Sequence, residues 1–476
     1  MASHPHRWRI LAVVATAFFM TILDVSIVNV ALPTIGKDLA FSAANLQWVI
    51  TAYAIAFGGF LLLGGRAADL LGRRRVFMVG VALFTIASLV CGLSTSDGML
   101  IAARAVQGLG GAIISPAALS IVMTSFDEGA ERNKALGVWG ALGGSGAAVG
   151  VLAGGVLTEK AGWEWIFWVN VPVGVVVLLL TPFIVPESFR QTTRRRYDPL
   201  GAVSVTAGLV LLVYAISEAP NVGWATARTI GLLVASGALL VAFLVIERTV
   251  QEPLMPFRIF RVRTVAGANA VGALLGAVIF ANFFLLTLYV QDVLGFSALK
   301  TGFTFVATAG TAVISAGVAQ ALTTRFGAKP IMTIGLILLT GAMIWYSQIP
   351  VDGSYVSDLL PGYLMVGVGI AFAFVPVTIA ALAGVTEREA GLASGLLNTS
   401  QQIGGAVGVA VASTVFTSRF DSLLASGDAV PLALTGGYRW GFWALAVFGA
   451  GAVIAALTLI RREEMAATPA TAPSAD

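Results

Sequence analysis

Apolar blocks of about 20 residues recur along the whole chain, and no other feature restricts its fold as much. A helix of about 20 residues crosses the ~30 Å hydrocarbon core of a bilayer. In that core every backbone polar group must be satisfied internally, which leaves helices or a closed barrel. Barrel strands read as ~10-residue segments of alternating polarity. Here the stretches 205–216 and 231–246 are continuously apolar, so helices are expected. Composition agrees: 58% of the 476 residues are hydrophobic and 11% are charged, against roughly 45–50% and about 25% in soluble domains.

The blocks fall near 10–32, 46–65, 76–94, 98–123, 134–157, 164–185, 199–217, 227–246, 265–290, 299–322, 328–349, 359–383, 391–417 and 439–460, which makes fourteen spans. An even number puts both termini on one side. Of 28 Lys and Arg residues, 21 fall in the connections and tails on the side of the termini. Six (Lys37, Lys160, Arg228, Lys300, Arg419 and Arg439) fall on the other side, and Arg104 alone lies inside a span. The positive-inside rule then predicts that both termini are cytoplasmic. The net charge of +4 is explained by these membrane anchors and not by a nucleic-acid partner. The first block is too long for the apolar core of a signal peptide. The single cysteine, Cys91, excludes an intramolecular disulfide, and His4 and His6 offer no metal site.

The second half echoes the first. Asp69-Leu-Leu-Gly72-Arg73-Arg74-Arg75 follows span two, and Thr324-Arg-Phe-Gly327-Ala-Lys329 follows span ten, their glycines 255 residues apart. Spans five and thirteen, both glycine-rich, are separated by a similar interval. The expected organisation is an amino-terminal six-helix bundle (1–190), an inserted helix pair (191–263), a carboxy-terminal six-helix bundle (264–462) and a disordered cytoplasmic tail (463–476). Repeated halves around a midplane site are a common plan of secondary transporters.

Charge inside the bilayer is expensive and marks function by default. Of 24 acidic residues only Asp24 lies well inside a span, and of 28 basic residues only Arg104 does. At 1.5 Å per residue, Asp24 is ~12 Å and Arg104 ~9 Å from the same membrane face. Similar depth lets both address one cavity in the amino-terminal half. Asp24 is then the expected acceptor for a proton or a cationic substrate. Two other readings stay open: a static pair locking spans one and four, and Arg104 holding backbone carbonyls of a neighbouring helix. In span five Gly137, Gly140, Gly143, Gly146, Gly150 and Gly154 recur every three or four residues, a smooth face for close helix contact. Polar groups at depth in the carboxy-terminal half are neutral: Asn269, Asn282, Asn398, Gln401 and Gln402. Asn398, Gln401 and Gln402 stand at helical spacing. Phe280, Phe283, Phe284 and Tyr289 offer an aromatic wall, with ordinary packing as the plainer alternative. A neutral, zwitterionic or monocationic amphipathic substrate is expected.

Several ordered motifs carry a resemblance. The run Gly65-Arg-Ala-Ala-Asp69-Leu-Leu-Gly72-Arg73-Arg74-Arg75 is similar to the signature between helices two and three of the major facilitator superfamily. Arg104-Ala-Val-Gln107-Gly108-Leu-Gly110-Gly111 resembles the proton-coupling motif of its drug:proton antiporters. Gly146-Ala-Ala-Val-Gly150-Val-Leu-Ala-Gly154-Gly155 resembles their antiporter motif, with Val151 where proline is usual. Leu23-Asp24-Val-Ser-Ile-Val-Asn29-Val-Ala-Leu-Pro33, Trp163-Glu-Trp-Ile-Phe167-Trp-Val-Asn170-Val-Pro172 and Glu252-Pro-Leu-Met-Pro256 resemble the fourteen-helix branch.

The resemblance implies an all-α membrane protein of the major facilitator fold, with fourteen transmembrane helices arranged as six, two inserted and six. It implies proton-coupled multidrug efflux by alternating access in a bacterial inner membrane, powered by the proton gradient without a cofactor. Asp24 and Arg104 would couple protons. Gly65, Asp69, Gly72, Arg73, Arg74 and Arg75 would form a gating loop, with Asp69 contacting the start of span thirteen near Ala390. Gly146, Gly150, Gly154 and Gly155 would belong to the antiporter helix. Asn29, Gln107, Asn282, Phe283, Phe284, Asn398, Gln401 and Gln402 would line the substrate cavity. The expected partners are a small amphipathic substrate, protons and lipids, with the monomer as the working unit. Proton symport, export of an endogenous lipid or metabolite, and a non-transporting receptor or scaffold are the alternatives. No phosphate-binding loop, zinc motif or nucleophile elbow is present, which argues against an ATP-driven pump or a hydrolase.

Overall fold

The structure is a computed structural model that describes residues 6–126, 130–187, 198–250, 253, 257–383, 385 and 390–461. The tail expected at 463–476 lies outside these residues. Among them there is no strand, and fourteen long helices carry the chain. They are α1 (Arg7–Asp38), α2 (Trp48–Leu71), α3 (Arg73–Gly92), α4 (Asp97–Ser125), α5 (Ala130–Lys160), α6 (Asn170–Ile184) and α7 (Pro199–Val222). Then come α8 (Ala227–Thr249), α9 (Arg263–Asp292), α10 (Ala298–Phe326), α11 (Ala328–Tyr346), α12 (Leu360–Ala381), α13 (Ala390–Ala425) and α14 (Val430–Leu459). Each matches one expected span. Span six is divided: a single turn, Trp165–Trp168, precedes α6. Thirteen of the spans are long and apolar enough to cross a bilayer. The protein is a multi-pass membrane protein.

Local chemistry sets where helices begin. Ser96, Ser297 and Asp198 accept the backbone N–H of Met99 (3.3 Å), Lys300 (3.3 Å) and Gly201 (2.8 Å), capping α4, α10 and α7. Two glycines do more than cap. Gly72 (φ +102°) is the only residue between α2 and α3, and Gly327 (φ +88°) the only one between α10 and α11. Both lie in the region that L side chains rarely adopt. The pair that marked the sequence repeat therefore makes the same joint twice.

Helix contacts follow a two-fold pattern. In the first half α1 packs on α4, α5 and α6, α4 on α2 and α3, and α3 on α6. In the second half α9 packs on α12, α13 and α14, α12 on α10 and α11, and α11 on α14. The halves meet along two equivalent seams, α5 on α10 and α2 on α13. α7 covers the α2–α13 seam, and α8 packs on α7.

Lipid tails are as apolar as leucine, so close packing of small residues and not water exclusion must hold such helices together. The glycines show where. A Cβ at Gly154 would stand 2.6 Å from the Ile27 carbonyl, and one at Gly146 would stand 2.7 Å from Ile22. A Cβ at Gly150 would strike Ser26 and lie 2.9 Å from the Leu23 carbonyl. These three put α5 flush against α1. Gly155 turns to the other half, 2.9 Å by the same measure from the Ala298 carbonyl. Facing Gly155, Gly302 on α10 lies as close to the carbonyl of Val151, the residue at the usual proline position. The side chains at 137, 140 and 143 lie outside the described residues.

Candidate functional site

The two lone membrane charges meet. Asp24 and Arg104 are 0% and 1% exposed, and Arg104 Nη1 donates to Asp24 Oδ2 at 2.5 Å. The surroundings complete both groups. Gln107, one helical turn past Arg104, accepts from Arg104 Nη1 (2.6 Å) and donates to Asp24 Oδ1 (2.7 Å) and Ser88 Oγ (2.8 Å). Asn170, near the start of α6, donates to Asp24 Oδ1 at 3.1 Å. Arg104 Nε donates to the Val49 carbonyl at 2.9 Å, and the guanidinium lies over the Tyr53 ring, 4.4 Å from its centroid. Arg104 thus fills both proposed roles, carboxylate partner and holder of a backbone carbonyl. The buried Cys91 thiol donates to Gln107 Oε1 at 3.7 Å.

The spacing of the α4 motif explains how five helices reach one point. A Cβ at Gly108 would collide with the Tyr53 carbonyl, and one at Gly110 would stand 2.7 Å from the Phe84 nitrogen. Gly111 faces Tyr53 Oη and Phe57. These glycines draw α4 against α2 and α3, so the longer Arg104 and Gln107 reach across to α1. Both charges are expected to face one cavity; in this conformation they face each other and are buried. The pair is sealed inside the first half, with Tyr53 and Phe167 around the guanidinium.

The residues expected to line a substrate cavity divide. Gln107 belongs to the carboxylate network. Asn29 donates to the Val25 carbonyl (2.9 Å), leaving its buried Oδ1 without a partner. Asn282 Oδ1, Gln401 Nε2 and Gln402 Oε1 are also buried without hydrogen-bond partners. Gln401 and Gln402 do not share a face. The Gln401 backbone meets Gly276 on α9, whereas Gln402 meets Gly58 on α2. Asn398 is partly exposed. Phe283 stacks on Phe305 at 5.0 Å between centroids, and Phe284 is fully buried in the packed core.

In the loop motif, Gly65 packs on Pro116 of α4. Arg73 is buried. Arg74 and Arg75 both approach Glu187, just past α6, at 3.7 and 3.6 Å, and the Arg74 N–H donates to Glu187 Oε1 at 3.1 Å. These arginines fasten the first half to itself. The side chains of Asp69 and Ala390 lie outside the described residues.

On the face opposite the termini the halves are joined. Gln291 Nε2, on α9, donates to the Val30 carbonyl of α1 at 2.8 Å. The Leu299 N–H, in the first turn of α10, donates to Glu159 Oε2 at 3.2 Å. The sequence reading missed Glu159, which stands two residues beyond span five. The Ser297 hydroxyl and then the Leu299 amide hold its carboxyl below the ordinary value. A lowered value means that the contact is complete above the ordinary carboxylate range and is lost as pH falls through the lowered value. Between about pH 5 and 8 the contact is therefore constant. Glu159→Ala is expected to raise the open population of this face about twofold, with little further change across that range. Spin labels replacing Lys160 and Lys300 report it; an unchanged distance distribution refutes the latch.

Residues 14–409 match the Major Facilitator Superfamily. The chain belongs to the major facilitator superfamily. Its relatives within the superfamily include the puromycin resistance protein pur8 of Streptomyces alboniger, 40% identical over 94% of this chain and 90% of that one. The cephamycin export protein CmcT of Amycolatopsis lactamdurans is 39% identical over 92% of this chain and 89% of that one. The tetracenomycin C resistance and export protein of Streptomyces glaucescens is 32% identical over 87% and 76%. Among solved structures, a bacterial homologue of the human lysosomal transporter Spinster, inward-facing and unoccupied, superimposes with a TM-score of 0.71. It covers 98% of this chain and 100% of that one at 17% identity, a likeness of fold alone. These comparisons point to a transporter and not to an enzyme.

Proposed function

We propose that this protein exports an amphipathic antibiotic-like small molecule from a bacterial cell in exchange for protons. The observation that carries the reading is the sealed Asp24–Arg104–Gln107–Asn170 network, the one place in the first half where an acid lies deep in the membrane. A proton added to the Asp24 carboxylate removes the charge that balances Arg104. A buried cation without its partner is costly. The protonated state therefore favours a rearrangement that gives Arg104 another partner or opens the network, and release of the proton on the other side reverses it. The proton gradient supplies the energy, and no cofactor enters.

The moving bodies are the halves 1–190 and 264–462, with the pair in 191–263 riding on one seam. The amide atoms left unpartnered on α1, α9 and α13 (Asn29, Asn282, Gln401 and Gln402) support recognition of a neutral polar group. Their positions on both halves suit a substrate held between them. The charge bias supports an orientation with both termini in the cytoplasm and the Glu159 face outside. The names of the puromycin, cephamycin and tetracenomycin relatives support an antibiotic-like substrate.

Proteoliposomes with an imposed pH gradient test the reading, with puromycin as the first compound. Accumulation on the acidic side, accompanied by counterflow of protons, is the expected result. Accumulation together with protons would replace it with symport. Absence of flux for puromycin and for a panel of amphipathic cations, neutral compounds and phospholipids would favour a receptor or scaffold.

A further inference from the structure

On the face opposite the termini, the ends of α11 and α13 and the start of α14 enclose a cleft of about 420 Å³. Its walls include Gln348, Arg419, Asp428, Arg439, Trp440 and Trp443. None of these belongs to the carboxylate network or the amide set. Only six of the 28 basic residues fall on this face, and two of them converge on this cleft. Arg439 spends its Nε on the Ile349 carbonyl at 2.7 Å, leaving its two terminal nitrogens for another acceptor. The Arg419 guanidinium lies 5.7 Å from the Trp440 ring centroid. Among the described residues neither guanidinium reaches a carboxylate as an ion pair. With Asp428 included, the cleft carries a net charge of +1. Its apolar rim faces outward: Trp440, Trp443 and Leu432 are exposed, and Val447, one turn further along the same side of α14, is 70% exposed. Tryptophan at this level is the usual anchor of the headgroup zone.

We propose that the cleft binds one phospholipid of the leaflet away from the termini. Its phosphodiester sits between Arg419 and Arg439, and an acyl chain runs along Trp440, Trp443 and Val447. A planar guanidinium suits a phosphate oxygen pair. Asp428 gives the cleft a place for a headgroup ammonium, so phosphatidylethanolamine should bind more tightly than phosphatidylglycerol.

Native mass spectrometry of the full chain in detergent micelles tests this, with phosphatidylethanolamine, phosphatidylglycerol, diacylglycerol and inorganic phosphate added in separate arms. The wild type should retain one phospholipid and no diacylglycerol, and excess inorganic phosphate should not displace the lipid. Arg419→Gln should weaken retention about fivefold, as expected for one basic residue at a headgroup, and Arg419→Lys less. Asp428→Asn should abolish the preference for phosphatidylethanolamine. Melting temperatures equal to the wild type show that the variants fold. Equal lipid retention by Arg419→Gln and Arg439→Gln, or equal binding of diacylglycerol, overturns the proposal. Displacement by inorganic phosphate also overturns it and makes the cleft a site for a free anion.

Discussion

Asp24→Asn is expected to lose pH-driven transport altogether and to destabilise the protein by about 3–5 kcal/mol, the usual cost of leaving one buried ion without its partner. The geometry explains why both effects are large. Asp24 is fully buried, and its two oxygens accept from Arg104, Gln107 and Asn170. Asparagine keeps one acceptor but offers an N–H₂ group where those donors converge. Flux in proteoliposomes and thermal unfolding in detergent should fall together. The double variant Asp24→Asn/Arg104→Gln separates the two effects. It removes both charges, so stability should largely return while pH-driven flux stays lost. Recovery of coupled flux in the double variant would show that the pair is structural and that protons travel elsewhere.

Gly404→Ala should be the most damaging single methyl among the described glycines of the second half. A Cβ there would run into the Ala273 carbonyl of α9. The neighbouring contacts forbid an easy slide: Gly276 meets the Gln401 carbonyl, and a Cβ at Gly408 would stand 2.5 Å from Ala277 Cα. Backbone presses on backbone, so α9 and α13 must separate along their length. Overpacking of this kind costs about 1–3 kcal/mol or more. The matched control is Gly310→Ala on α10, where a Cβ meets nothing within 4 Å. There the gain in helix propensity, at most about 1 kcal/mol, is the only term. The temperature at which half the detergent-solubilised protein stays monodisperse should drop for the first variant and hold or rise for the second. Equal behaviour of the two would remove the close-packing account of the α9–α13 contact.

What could be read in the sequence follows from cost. Charges inside a membrane are so expensive that two survivors, Asp24 and Arg104, stand out without any fold, and their similar depth pointed to a shared site. The span count rested on hydropathy and on where arginines were allowed, both strong signals. Neutral polar groups are cheap by comparison, because a helix interior satisfies much of their hydrogen bonding. Asn170 and Ser88 therefore gave no hint that they complete the carboxylate network, although Asn170 lies in a motif quoted for its resemblance. Adjacent positions on a helix differ by about 100°, and spacing alone could not foresee that Gln401 turns to α9 and Gln402 to α2. The seam occupied by α7 and the latch at Glu159 depend on how the halves meet, which no local pattern encodes.

The single-residue joints at Gly72 and Gly327 have a mechanical meaning. A long loop would let α2 tilt while α3 stayed still, and motion at one face would be absorbed before it reached the other. One residue holds no slack. α2 drags α3, and α10 drags α11, so a displacement at the seams α2–α13 and α5–α10 is passed at once to helices on the far flank of each half. Such coupling would let each half move as one body in the exchange proposed above. The glycines themselves are not stiff; they permit the turn, and it is the absence of any further residue that ties each pair of helices together.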